Sequence, residues 1–111
     1  MEISTVIGPI TVLAVKGDID SNTFRMVADK AETLVSQGHV KLVLDLHEVD
    51  YSSAGLVALQ TIIGRAASHG GKAVLCGVTS RVGRVLKVSG FADKISIFPD
   101  LTAATSSFAG A

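Results

Sequence analysis

The sequence has little of several features that common protein classes need. One cysteine in 111 residues excludes an internal disulfide framework and favours a reducing compartment. The aromatic residues are four Phe and one Tyr, with no Trp, too few for a platform that stacks nucleic-acid bases. Ten basic and ten acidic residues leave no net charge, whereas nucleic-acid-binding domains normally carry a cationic excess. We therefore expect no direct contact with nucleic acid.

Long apolar runs are also missing. Although 48% of the residues are hydrophobic, Gly, Pro or a charged residue interrupts each run before the ~20 residues of a membrane-spanning helix. The first residues do not have the pattern of a signal peptide. We therefore expect a cytoplasmic protein without membrane association, and the length suits one domain over residues 1–111.

Short apolar strands alternate with amphipathic segments along the chain. The Gly8–Pro9 turn joins the first two strands into an N-terminal hairpin. Apolar residues at helical spacing predict a first helix over residues 24–35, and further helices follow the next three strands. This alternation is typical of βαβ units, so we expect an α/β fold on a mixed, largely parallel sheet. The predicted strands are Met1–Ile7, Ile10–Val15, Lys41–Leu46, Ala73–Cys76 and Ile95–Phe98.

Polar residues mark the expected helix boundaries. We expect Ser21–Asn22 to cap the first helix and Thr79–Ser80 to cap the third. Pro99–Asp100 opens the fourth, and the small residues of Ser106–Ala111 are expected to fray. On the second helix, Val57 and Ile62 lie off the stripe of Leu56, Leu59 and Ile63, which predicts apolar surface for a partner.

Two serines at the start of the second helix are the most informative candidates. Ser52 and Ser53 follow a buried strand at the carboxyl end of the sheet, where α/β folds place functional residues. One interpretation is a helix cap, for which serine is favoured. The other is a phosphoacceptor, because the free N–H groups and positive dipole of a helix N-terminus favour a phosphate. The two roles are compatible, since a capping hydroxyl is also exposed.

The residue patterns favour a binding protein over an enzyme. Tyr51–Gly55 lacks the glycine that a nucleophile elbow has two residues before its serine, and His47 is expected on the preceding loop. His39, His47 and His69 do not have metal-ligand spacing, and Cys76 lies in a buried strand. No phosphate-binding glycine loop occurs. We expect no catalytic residue, metal or cofactor.

Three segments share their order and spacing with one known family. Gly17–Asp20 reads Gly-Asp-Ile-Asp after the second strand, and Ser52–Leu56 reads Ser-Ser-Ala-Gly-Leu at a helix start. Leu86–Phe91 reads Leu-Lys-Val-Ser-Gly-Phe near the end of the chain. In these segments the chain resembles STAS domains, specifically the stand-alone bacterial anti-sigma-factor antagonists. The resemblance implies a mixed sheet of four to five strands with helices mainly on one face.

The resemblance also implies a partner-switching function. In this family the unphosphorylated antagonist binds an anti-sigma factor that is also an ATP-dependent serine kinase. Phosphorylation releases the antagonist, and a PP2C-type phosphatase resets it. The chain would then be a substrate and binder, without a cofactor and forming at most a weak homodimer. The alternative is a non-enzymatic scaffold subunit of a signalling assembly or lipid-transport complex, without obligatory phosphorylation.

Site residues follow from the same resemblance. Ser53 matches the phosphoacceptor because it stands two residues before Gly55. Ser52 is its competitor, because the segment after Val49 is one residue shorter than in the family. Asp20 matches an acidic residue close to the phosphoacceptor. The residues expected to support the phosphosite or to contact the partner are Asp18, Asp20, Ser52, Ala54, Gly55, Leu56 and Val57.

Overall fold

Strands and helices alternate in the computed structural model of the protein, which describes residues 2–20, 23–49, 55–88 and 96–108. The strands are β1 (Glu2–Val6), β2 (Thr11–Lys16), β3 (Lys41–Glu48), β4 (Lys72–Cys76) and β5 (Ile97–Phe98). The helices are α1 (Phe24–Ser36), α2 (Gly55–Ser68), α3 (Ser80–Val88) and α4 (Leu101–Ser106). Within these residues, no helix is both long and apolar enough to cross a membrane.

The strands form one five-stranded sheet in the order β1-β2-β3-β4-β5. β1 pairs with β2 in antiparallel orientation, which makes the predicted N-terminal hairpin. The pairs β2–β3, β3–β4 and β4–β5 are parallel. The prediction of an α/β fold on a mixed sheet is therefore confirmed.

The sequential strand order explains which side of the sheet the helices cover. Each of α1, α2 and α3 connects two adjacent parallel strands in the same direction, and such crossovers are right-handed in nearly all proteins. The three helices therefore lie on one face, which we call the first face. The short helix α4 follows the last strand and contacts β3, β4 and β5 from the opposite side, the second face. Helices lie mainly on one face, as expected.

Alternate residues of the same strands build a core on each face. In β3, Leu42 and Leu44 pack under the helices of the first face, while Val43 between them points to the second face. This explains the nearly continuous apolar run of the strand, because both of its faces are covered. The second-face core is smaller and consists of Val43, Val74, Cys76, Ala104 and Phe108.

The structure corrects two expectations about apolar residues. Ile62 is 1% exposed and belongs to the core, because α2 buries the stripe formed by Leu59, Ile62 and Ala66. It is therefore not available to a partner. Phe108 is 7% exposed and packs on the second face, so residues 106–108 do not fray. Its large ring is needed there because α4 is only six residues long.

The helix caps agree in part with the sequence. Asp100 caps α4 through its carboxylate, which accepts a bond from the N–H of Ala103 at 2.8 Å. Thr79 caps α3, with its hydroxyl accepting from the N–H of Val82 at 3.4 Å. The expected cap residues Ser21–Asn22 lie outside the described residues.

Candidate functional site

The carboxyl ends of β2, β3 and β4 meet at one edge of the sheet, where the sequence places the functional residues. Two hydrogen bonds join the segments that leave these strands. The N–H of Gly17 donates to the carbonyl of Glu48 at 3.1 Å, and the hydroxyl of Thr79 donates to the carbonyl of Val49 at 3.2 Å. Gly17, Val49 and Thr79, which follow the ends of these three strands, therefore lie close together.

Asp20 forms a reciprocal cap with Thr23 at the start of α1. Its Oδ1 accepts a bond from the N–H of Thr23 at 3.0 Å, and the hydroxyl of Thr23 accepts one from the N–H of Asp20 at 3.0 Å. The same hydroxyl donates to the carbonyl of Asp18 at 2.8 Å. The pair resembles a capping box but lies in the turn just before Phe24, the first residue of α1. Asp20 and Thr23 therefore fix the turn that enters α1, and Asp18 contributes its backbone carbonyl.

A charged cluster at the end of β3, formed by Lys16, Asp45, His47 and Glu48, was not predicted. The Nδ1 atom of His47 lies 2.6 Å from Oδ1 of Asp45, and its Nε2 atom lies 3.2 Å from Oε1 of Glu48. Lys16 Nζ is 3.7 Å from the other oxygen of Glu48. The hydrogen bond to Asp45, followed by the charge of that carboxylate, raises the pKa of His47 above 6.5. We call these four residues the β3-end cluster.

The cluster was missed because His47 was expected on a loop, whereas β3 continues to Glu48. Residues two apart on a strand project to the same side, so Asp45 and His47 form a pair that a longer predicted strand would have indicated. Glu2 and Ser4 on β1 are exposed, so polar residues at this end of the second face stay in contact with solvent.

A β-bulge underlies the β3-end cluster. Ala14 pairs with Asp45 and Lys16 pairs with Glu48, so two steps along β2 correspond to three along β3. Val15 therefore stands opposite both Leu46 and His47, and such bulges redirect side chains near functional sites. Asp45 Oδ1 also accepts a bond from the N–H of His47 at 3.2 Å. One carboxylate oxygen thus bonds both the amide and the ring of His47.

Gly77, just after β4, lies directly against this bulge. Its φ is +65°, and a Cβ there would be 2.8 Å from the Cβ of His47 and 3.2 Å from Oδ1 of Asp45. Only glycine fits that position without displacing the cluster. The preceding residue, Cys76, is buried as predicted, and burial, with a smaller contribution from Asp45, raises the pKa of its thiol to about 11.

The described residues include no group of three or more His, Cys, Asp or Glu side chains placed to hold a metal ion. The ring nitrogens of His47 point to two different carboxylates rather than to one common point. What the edge offers instead is charged and hydrogen-bonding groups at the carboxyl end of β3.

Family comparison agrees with this architecture. The model of the STAS domain matches residues 3–104. The chain belongs to the STAS domain family. The resemblance noted in the sequence is therefore confirmed.

Relatives of this STAS domain include proteins from several bacteria. BtrV of Bordetella bronchiseptica, whose name gives it as a candidate anti-sigma factor antagonist, is 32% identical over 89 residues, covering 79% of this chain and 74% of BtrV. An anti-sigma factor antagonist from Mycobacterium paratuberculosis has a TM-score of 0.82 at 22% identity, covering 96% of this chain and 93% of its own. Unphosphorylated SpoIIAA has a TM-score of 0.84 at 14% identity, covering 99% and 98%. SpoIIAA of Bacillus is also known in a phosphorylated form.

In this STAS domain, the predicted phosphosite falls between β3 and α2. Ser52, Ser53 and Ala54 lie outside the described residues, and the side chains of Leu56 and Val57 are not described. The 14-residue helix α2 begins at Gly55, so Ser52 and Ser53 stand three and two residues before it in the sequence. The assignments of Ser53 as phosphoacceptor and of its neighbours as contacts therefore stay predictions.

Proposed function

We propose that this STAS domain is an anti-sigma-factor antagonist that acts by partner switching. It binds an anti-sigma factor with ATP-dependent serine kinase activity while unphosphorylated, and phosphorylation of Ser53 releases it. The observation that carries the proposal is the position of α2, which follows β3 and begins at Gly55, two residues after Ser53 in the sequence. The relationship to BtrV and the likeness to SpoIIAA support it.

The local charges are suited to a phosphate switch. The first turn of α2 has no acidic residue, so its free N–H groups and positive dipole favour a phosphate in the unbound protein. A phosphate adds roughly −1.5 to −2 charges at pH 7. Desolvating that charge at an interface costs several kcal/mol, about enough for a 10²–10³-fold loss of affinity. Phosphorylation is therefore compatible with the folded domain but lowers its affinity for the partner.

Other edge residues have supporting roles in this proposal. Asp18 and Asp20 lie between β2 and α1, on the segment that leaves the carboxyl edge of the sheet, and help the kinase to recognise the serines. Ala54 and Gly55, with the first turn of α2 at Leu56 and Val57, contact the partner. A PP2C-type phosphatase regenerates the unphosphorylated form, and the domain itself is a substrate and binder.

Intact-mass measurement after incubation with the cognate kinase and ATP tests the proposal. Wild type is expected to gain one phosphate, and Ser53→Ala to gain none. Ser52→Ala is the matched control, because it removes the same hydroxyl one residue away and is expected to be phosphorylated. Either change removes a potential helix cap worth ~1 kcal/mol, which both variants share.

Two results would contradict this assignment. Loss of phosphorylation in Ser52→Ala but not in Ser53→Ala would move the phosphoacceptor to Ser52. Wild-type protein that binds the kinase without gaining a phosphate would favour the alternative, a scaffold subunit without a phosphorylation switch.

A further inference from the structure

We propose that Asp45, His47 and Glu48 form a proton-sensitive clamp, which fixes the β3 bulge when His47 is protonated and loosens it when His47 is neutral. The clamp is a property of the folded domain alone. Its consequence for partner binding, a pH-dependent affinity, rests on the proposed function. The clamp and its effect on affinity both depend on the position of the bulge, because β3 is the strand that precedes Ser52 and Ser53 in the sequence.

The geometry of the ring requires the imidazolium. His47 places Nδ1 2.6 Å from a carboxylate oxygen of Asp45 and Nε2 3.2 Å from one of Glu48. Carboxylates only accept hydrogen bonds, and a neutral imidazole has one donor and one acceptor nitrogen. In the neutral form one nitrogen lone pair would face a carboxylate oxygen. Deprotonation therefore removes the donor proton from one contact and the positive charge from both, which weakens the two contacts together.

Weakening the charge-assisted contact to Asp45 affects the backbone as well as the ring. The same Oδ1 atom accepts the His47 N–H at 3.2 Å, at the point where β3 has one residue more than β2. Next along the chain, the N–H of Val49 donates to the carbonyl of Leu46 at 3.0 Å, and Val49 is buried. The bulge thus lies directly before Val49, which is buried and is the last described residue before the serines.

Charged groups on β1, β2 and β3 determine which protonation state of His47 is favoured. On β3, Asp45 is 13% exposed at its side chain and so is the better shielded of the two carboxylates. Lys16 on β2 bonds Glu48 and offsets part of its charge. Glu2 on β1 lines the same open depression as His47 and adds a further negative charge. Among these described groups there are three carboxylates and one ammonium group, so the surroundings favour the protonated, positively charged form of His47.

Among the residues that the structure describes, the β4 side of the cluster adds no charge that titrates near neutral pH. Gly77 contacts the cluster with its backbone only, and the thiol of Cys76, with a pKa of about 11, stays neutral. A change between mildly acidic and mildly basic solution therefore reports on His47.

The direction of the pH effect follows from the raised pKa of His47. Its contribution to stability is fully present below the unfolded-state value of 6.5 and is lost as the pH rises through the higher folded-state value. Because His47 is 57% exposed, solvent screens the pair and the effect is small.

Amide exchange measured by NMR on the full chain tests the clamp. In wild type, the protection factors of the His47 and Val49 amides are expected to be roughly two- to five-fold higher at about pH 5 than at about pH 9, the range for an exposed ion pair. His47→Gln should remove the difference. Asp45→Asn should reduce it while keeping an oxygen for the His47 N–H. His69→Gln is the matched control, because His69 Nδ1 contacts the carbonyl of Arg65 rather than a carboxylate, and it should behave like wild type.

Equal protection at the two pH values in wild type would overturn the clamp, and so would an unchanged pH dependence in His47→Gln or Asp45→Asn. The measurement needs no kinase or partner. Its failure would leave the Ser53 assignment standing, and failure of Ser53 phosphorylation would leave the clamp standing.

Discussion

On the first face of the sheet, leucines of β2, β3 and β4 pack against three helices, whereas the intervening residues on the second face meet the single short helix α4. Toward β1 and β2 the second face has exposed residues such as Glu2 and Ser4. The difference indicates a division of roles. The first face supplies most of the buried apolar surface, which leaves the uncovered part of the second face free to place charged groups at the carboxyl edge.

At the bulge, core packing and the placement of charged groups are carried out by neighbouring residues of one strand. Leu46 is buried in the first-face core, and the next residue, His47, is 57% exposed in the β3-end cluster. One extra residue in β3 lets the strand keep its apolar contacts and still turn a histidine toward two carboxylates. The packing of the first face and the geometry of the cluster are therefore separable by mutation.

The largest effect is expected for truncation of the core. Leu44 and Val43 are adjacent and both fully buried, but they lie on opposite faces of the sheet, so Leu44→Ala and Val43→Ala compare the two faces. Leu44→Ala should lower the free energy of unfolding by about 3–5 kcal/mol. Val43→Ala should lower it by roughly 2 kcal/mol, because fewer methyl groups are lost and the second-face core is smaller. Urea denaturation of both variants measures the difference. A larger loss in Val43→Ala would reverse the assignment of the dominant core.

An intermediate effect is expected for Gly77→Ala. The left-handed backbone costs a non-glycine residue ~1–2 kcal/mol, and the contact with His47 should bring the total to about 2–3 kcal/mol. Gly70→Ala is the matched control, since its φ is +81° and a Cβ there meets no atom within 4 Å. Thermal unfolding of the pair isolates the cost of the contact. If Gly77→Ala and Gly70→Ala destabilised the protein equally, the residues around His47 would have to move aside for the new methyl group at no energetic cost.

The smallest effect is a gain in stability. Thr11 is 1% exposed, and its hydroxyl has no hydrogen-bond partner among the described residues. Thr11→Val removes that buried hydroxyl at nearly constant shape and should stabilise the protein by about 1 kcal/mol. In the control Thr33→Val, an exposed hydroxyl that donates to the carbonyl of Asp29 at 3.0 Å is lost, and no gain is expected. A destabilised Thr11→Val protein would indicate that this hydroxyl is satisfied in solution.

The sequence predicted the elements whose signal is local. Apolar runs marked β2, β3 and β4, and the polar residues Thr79 and Asp100 marked the starts of α3 and α4. Errors arose where burial depends on distant partners. Nothing local distinguishes Ile62 from Ile63, and Phe108 is buried only because α4 folds back over the second face.

The candidate site was predictable to a smaller extent. The carboxyl edge follows from the strand order, and the family resemblance singled out Asp20 as a residue close to the phosphoacceptor. Its partner Thr23 was not foreseen, because the cap was sought at Ser21–Asn22. The β3-end cluster depends on a register shift between two strands that are distant in sequence, and a single sequence does not show which strand has the extra residue.

The burial of Cys76 gives the protein an internal reporter of its own motions. It is the single cysteine of the chain, and a thiol with a pKa of about 11 is ionised to about one part in 10⁴ at pH 7. Alkylating reagents react with the thiolate, so they reach this sulfur only when α4 and β4 separate. The alkylation rate of the wild-type protein therefore measures how often the second-face core opens around Cys76, next to the β3 bulge.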